Sequence, residues 1–251
     1  MLNIKFFRLL RIGGWIDILN IKIFIKISNL LKKAEILEIG AHHGRSIIPI
    51  LCANKSFKKA TIIDIFSKQK YNISKSGHGN EKIFIDNLKK FNINIKKIQI
   101  IDDHSYKFLK QSKKKKLMSK FDLIHIDGGH AEKEVENDIK IAKKYAKKNS
   151  IIIIDDIFNL AFPEVLKAYL KNKDFFYPIF TTDQKLYAST NKKFAKKISE
   201  LVIRDNEFNF KKINFFNKKT FYITEKNEFF KNSILQKYKL IKSLFFFKYH
   251  F

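Results

Sequence analysis

The stretch LEIGAHHGRS, residues 37–46, decides how this chain is read. A short apolar run, EILEI at 35–39, leads into Gly40. Three residues intervene, Gly44 follows, and an apolar helical pattern begins. A glycine at the end of a buried strand permits a tight turn and close approach of a ligand, and a second lets the next helix start near the strand. The N-terminus of that helix points free N–H groups at whatever lies over the turn. The spacing is not G-x-G-x-x-G, because Ala41, His42 and His43 fill the middle, so a dinucleotide pyrophosphate is a poor fit.

Working outward, apolar runs rich in Ile recur at 60–65 (ATIIDI), 97–101 (KIQII), 121–126 (FDLIHI) and 150–154 (SIIII). Short, β-branched, near-continuous runs are how strands buried on both faces of a parallel sheet read. Helical patterns lie between them at 44–54, 81–91, 104–111 and 132–148. Strand and helix in alternation predict right-handed crossovers and an α/β, doubly wound, Rossmann-like sheet. Residues 163–173 open with Pro163 at a first-turn position and predict a further helix. FFYPIFTT and QKLYAST, across 175–189, are too close together for a crossover and predict a hairpin. Upstream, residues 15–33 read as one amphipathic helix packing on the sheet. We therefore expect an N-terminal helical segment (1–34), a central domain (35–190) and a Lys/Phe-rich C-terminal extension (191–251) without the strand–helix rhythm. Within that extension NFFNKKTFYITEK reads as a small hairpin and the last residues as a basic, aromatic tail.

Composition bounds the partners. The net charge is +27, which points to nucleic acid or an anionic membrane surface. The lysines are nevertheless spread along the chain, and the bias toward Ile, Lys, Asn and Phe tracks base composition as well as function. The densest run, KQSKKKK at 110–116, reads as a surface loop or helix end. A single cysteine, Cys52, excludes a disulfide framework and fits a reducing cytosol. No apolar run reaches membrane-spanning length, and no cleavage site follows the basic N-terminus, which is read as mature chain, so a cytoplasmic location is expected.

Three further groups of residues carry candidate chemistry. Asp64 ends the second strand, where a carboxylate accepts from both hydroxyls of a ribose lying across the first turn; a helix cap uses the same residue type. Asp103, His104 and Ser105 follow the third strand, beside the place of a nucleoside base, and also suit an N-cap cluster. IDGGH (126–130) ends the fourth strand and IIIIDD (151–156) the fifth, placing Asp127, Asp155 and Asp156 at neighbouring strand ends. The only adjacent glycines of a chain with eight, apart from Gly13–Gly14, stand in the first of these.

Together these parts resemble the class I methyltransferases that use S-adenosylmethionine, over roughly residues 30–190, with Glu38 to Ser46 as the cofactor loop. The resemblance implies a seven-stranded sheet of order 3-2-1-4-5-7-6 with the last strand antiparallel. It implies that Glu38 orients the methionine amino end, that Gly40, Ala41, Gly44 and Ser46 line the cofactor, and that Asp64 holds its ribose. IDGGH and IIIIDD are similar to a narrower group, the metal-dependent macrocin- and mycinamicin-type sugar O-methyltransferases. By that likeness Asp127, Asp155 and Asp156 chelate Mg²⁺, Asp127 also faces the cofactor, and His130 and Asp127 are the catalytic residues, His130 as general base and Asp127 as the competing base, with Gly128 and Gly129 turning the chain so that His130 faces the cavity. Carboxylates at adjacent strand ends repel unless a cation sits among them. The glycine pair usual before the fifth strand in that group is replaced by KKNS, expected as a turn at the far edge of the sheet. KSGHGN (75–80) reads as a loop over the active site.

The expected activity is a Mg²⁺-assisted O-methyltransferase acting on a sugar or glycan hydroxyl. Two rivals remain at this level. One is an RNA methyltransferase, although nucleic acid is not the favoured partner. The other is a non-catalytic cofactor-binding protein that contacts anionic membrane surfaces through the C-terminal tail.

Overall fold

The computed structural model describes residues 4–73, 75, 77–114, 120–204 and 206–226. Part of the 110–116 lysine run and the whole tail from residue 227, with its expected membrane contact, lie outside them.

The Ile-rich runs form β1 (Glu35–Ile39), β2 (Lys59–Asp64), β3 (Ile98–Asp102), β4 (Phe121–Ile126) and β5 (Ala146–Ile154). They pair in parallel, with β1 between β2 and β4, β3 outside β2 and β5 outside β4. Side chains alternate across a strand. In β5 this sends Ile151 and Ile153 into one core and Ile152 and Ile154 into a second, on the opposite face, and all four are fully buried. That is why the run shows no polar alternation.

Chain order sorts the helices onto the two faces. After the short α1 (Ile4–Leu10), α2 (Ile18–Asn29), α3 (Ile47–Ala53) and α4 (Glu81–Lys90) cover the first core. There Phe24, Ile27, Ile48, Phe84 and Leu88 are buried. α5 (Ser105–Lys114), α6 (Glu132–Tyr145) and α7 (Pro163–Lys171) cover the second core through Phe108, Ile139 and Tyr169. Local chemistry starts these helices: Asp17 accepts from Asn20 N–H at 2.7 Å, Asn80 from Ile83 N–H at 3.0 Å, and Pro163 opens α7.

The hairpin of β6 (Tyr177–Thr181) and β7 (Leu186–Ser189) inserts β7 antiparallel beside β5. The order through β6 is the expected 3-2-1-4-5-7-6. The sheet is larger than seven strands, however. It has nine, continuing β7-β6-β9-β8. Helix α8 (Lys192–Ile203) buries Ala195, Ile198 and Val202 in the first core. β8 (Phe208–Phe215) and β9 (Lys218–Glu225) then extend the edge, β9 meeting β6 in parallel at Thr181 and Tyr222. The hairpin turns on Phe216 and Asn217, both at positive φ, the turn hand that matches strand twist. Its sequence signal is weak because an edge hairpin buries few residues; in β8 only Phe208 and Phe215 are buried. Lys22 of α2 ties it down through Glu225 at 3.0 Å.

KKNS is also corrected. α6 ends at Tyr145 and β5 begins at the next residue, so Lys147 to Ser150 lie in the strand. Lys147 there bridges Asp122 at 2.7 Å and Glu35 at 3.1 Å. Among the described residues no helix is long and apolar enough to cross a membrane.

Candidate active site

The parallel strands all end on one side of the sheet, and the predicted site residues gather there. Gly40 has φ +84°, and a Cβ on it would overlap the carbonyl of Asp127, so the β1 and β4 ends touch backbone to backbone. Gly40 N–H bonds Ile63 O at 2.9 Å and Asp127 N–H bonds Ile39 O at 2.8 Å, extending both ladders past the strands. Gly44 N–H closes the turn on Ala41 O at 2.7 Å, and Ser46 is buried at the entry to α3.

Asp64 organises this turn. One oxygen accepts from the N–H groups of Ala41 and His42, each at 2.7 Å, and the other from Phe66 N–H at 2.6 Å. Burial pushes its carboxyl up, and these three bonds oppose the shift. A carboxylate has about four acceptor positions, so one is left for a ligand hydroxyl. Gly79 of the KSGHGN segment lies against Asp64 and His42. Arg45, not singled out by the sequence, clamps the loop before α2. Its Nη1 donates to Leu10 O at 2.9 Å and Ile12 O at 2.7 Å, and its Nε to Ile16 O at 3.0 Å.

After β3, each polar residue has a partner. Asp103 pairs with Lys107 at 2.9 Å and accepts from His104 N–H at 2.8 Å. His104 Nε2 meets Glu134 Oε1 at 3.1 Å, and that bond raises its pKa. Ser105 donates to Asp138, a buried carboxyl that burial pushes up to about 7. Glu134 and Asp138 stand on α6 directly behind the glycine pair. A Cβ on Gly129 would overlap the Glu134 carboxylate, and one on Gly128 would stand 2.7 Å from Asp138 Oδ2. Neither glycine has positive φ. The pair is required by the close approach of α6, and not by the sharp turn expected.

At the ends of β4 and β5 lie the strand-end acids. Asp156, at φ +53°, does not join the other two. Its Oδ2 meets His130 Nε2 at 2.9 Å and its Oδ1 accepts from Asn159 at 3.0 Å. Burial raises the Asp156 carboxyl, but these bonds outweigh it and leave the group below its ordinary range. The His130 ring stacks on Phe162 with centroids 3.8 Å apart and planes 7° from parallel. Asp127 is half-buried; burial pushes it up to about 6, with Lys185 pulling the other way.

Two residues outside the expected set complete the cluster. His125, fully buried in β4, shares a 2.8 Å hydrogen bond with Glu38 through Nδ1. Burial pushes Glu38 well up and His125 well down, so a neutral pair is favoured. Glu38, expected at the methionine end, is thus held inside the sheet. Lys185, from the β6–β7 turn and fully buried, bonds Asp155 Oδ2. No local pattern marks Lys185; only the hairpin's return beside β5 brings it here.

Among the described residues the ligand atoms that lie within 4.8 Å of one another belong to His125, Asp127 and Asp155, not to the expected three aspartates. One is an imidazole, which a hard ion disfavours. Asp155 already holds an ammonium, and a dication beside it would meet a like charge in a poorly solvated place. The residues do not fit Mg²⁺.

Comparisons with known proteins agree on the fold. Residues 37–157 match the family model described as "Methyltransferase domain". Cofactor-bound Rv0187 from MTB superposes with a TM-score of 0.51 at 14% identity, covering 72% of this chain and 82% of that one. The O-methyltransferase from Bacillus cereus in complex with SAH gives 0.47 at 15% identity, with 82% and 79% covered. The O-methyltransferase TomG from Streptomyces achromogenes gives 0.46 at 14%, with 80% and 75% covered. No curated protein matches the sequence. That match spans the glycine turn, Asp64, the IDGGH loop and Asp155–Asp156, so the strand-end residues lie inside a stretch that resembles a methyltransferase domain.

Proposed function

We propose that the chain is a cytoplasmic O-methyltransferase that methylates a hydroxyl of a sugar or glycan-type small molecule. The observation that carries this reading is the His130–Asp156 pair at 2.9 Å, at the strand ends beside the cofactor turn. S-adenosylmethionine supplies an electrophilic methyl when bound. The turn at Gly40–Gly44, with Ala41, Ser46 and Asp64, would hold its methionine and ribose parts, and Asp103 to Ser105 would flank its base. A sugar hydroxyl is too weak an acid to ionise alone near neutral pH. A neutral imidazole beside it can take the proton as the methyl is transferred. Asp156 fixes the His130 ring and stabilises the imidazolium that results, and Phe162 holds the ring plane.

The test is methyl transfer from labelled S-adenosylmethionine to a panel of sugar nucleotides and glycan fragments. His130→Ala should lower turnover by roughly 10²–10⁴-fold, with cofactor affinity nearly unchanged. Turnover within threefold of the parent would remove the histidine from the chemistry. Methylation of RNA with a nanomolar complex at about 150 mM salt, against roughly 10⁻⁴–10⁻⁶ M for nonspecific binding, would replace the sugar reading.

A further inference from the structure

We infer that the Lys185 ammonium is the resident cation of the strand-end acid cluster, so that this site balances its carboxylates with a side chain and works without a divalent ion. The inference rests on the proposed function only in placing the cluster beside the acceptor.

The geometry supports it in three ways. Lys185 is fully buried, and its Nζ bonds Asp155 Oδ2, the carboxylate that also faces His125 Nε2 at 3.9 Å. A buried ammonium persists only when paired. The lysine is also built in. Its N–H donates to Thr182 Oγ1 at 3.1 Å and its carbonyl accepts from Thr182 N–H at 3.0 Å, which closes the β6–β7 turn. Phe24 of α2 stands 5.8 Å from the ammonium, and Asn20 of the same helix accepts from Thr182 Oγ1 at 3.2 Å and from Tyr187 Oη at 2.7 Å. Helix α2 and the hairpin thus hold the lysine from both sides. Finally, the remaining acid of the three is occupied elsewhere, since Asp156 binds His130 and Asn159. Lys185 is a positioning residue: it fixes Asp155 and supplies positive charge beside Asp127 without reaching the acceptor.

The experiment is calorimetric titration of chelator-treated full-length protein with Mn²⁺ and Mg²⁺, repeated on Lys185→Ala and Lys185→Arg, with S-adenosylhomocysteine titrated into each sample. The wild type and Lys185→Arg should show no saturable metal binding. Lys185→Ala, which leaves the acids without their cation and opens space, should bind Mn²⁺ about tenfold or more tighter than the wild type. Saturable millimolar or tighter binding of either ion by the wild type would overturn the inference, and so would equal metal affinity in wild type and Lys185→Ala. If Lys185→Ala does not fold, the wild-type titration decides alone. Loss of S-adenosylhomocysteine binding in the wild type would count against the methyltransferase reading, whereas metal binding with cofactor binding intact would count against Lys185.

Discussion

The two halves of the cleft are built by different means. At the ends of β1 and β2, where the cofactor is proposed to lie, the backbone does the shaping. Gly40 touches the Asp127 carbonyl, and Asp64 accepts three N–H groups from the turn. At the ends of β4 and β5, where the acceptor is proposed to lie, side chains from distant segments do it. Phe162 stacks on His130, Lys185 reaches Asp155, and Glu134 and Asp138 stand behind the glycine pair. A backbone-shaped turn must hold one conformation for any member of its fold. A side-chain cluster changes charge and ligand set with a few substitutions. The comparison teaches that a backbone-shaped turn can be read from the fold, while the chemistry of a side-chain cluster must be read from this chain's own contacts.

The largest expected effect lies on the seam. Gly40→Ala forces a left-handed backbone on a residue with a Cβ and drives that Cβ into the Asp127 carbonyl. It should cost about 2–4 kcal/mol of stability, combining strain and overpacking, measured by denaturant unfolding. A cost below about 0.5 kcal/mol, the range of surface substitutions, would mean the cofactor half is not set by its backbone.

A smaller effect separates the two halves by pH. Asp138, behind the Gly128–Gly129 pair, is pushed up to about 7 by burial. Its folded pKa is raised, so between an unfolded value near 4 and the folded one the native state binds the extra proton. This group's contribution to stability is therefore greatest at low pH and is lost as pH rises toward 7, at about 1.4 kcal/mol per pH unit for one proton. Asp138→Asn removes that slope. Thermal unfolding of both proteins from pH 4.5 to 7.5 should show the wild type losing ground to the variant as pH rises, and levelling above 7. Parallel curves would show that the carboxyl is ionised throughout.

What could be read in advance follows the same division. Period and composition predicted β1 to β5, the β6–β7 hairpin and the doubly wound order, because strands buried on both faces leave long Ile runs such as Ile151–Ile154. The edge strands β8 and β9 were legible only in part, since an exposed hairpin has little hydrophobic signal. At the site, the glycine turn was visible because Gly40 and Gly44 are rare residues at a fixed spacing. Lys185 was not, being one of many lysines and separated from Asp155 by 30 positions along the chain. His125 read as an ordinary strand residue because its partner Glu38 lies 87 positions away. The glycine pair at 128 and 129 stands out in the sequence, but its cause, the carboxylates of α6, is a tertiary contact.

The central claim is that the Gly40–Gly44 turn binds S-adenosylmethionine. Its most direct test is isothermal titration of S-adenosylhomocysteine into the full-length chain in the presence of a chelator, with NAD as the control ligand. The account predicts saturable binding of S-adenosylhomocysteine, weakened roughly 10- to 150-fold in Asp64→Ala by loss of a charged hydrogen-bond acceptor worth about 1.5–3 kcal/mol, and no NAD binding. Tight NAD binding with no heat from S-adenosylhomocysteine would contradict it.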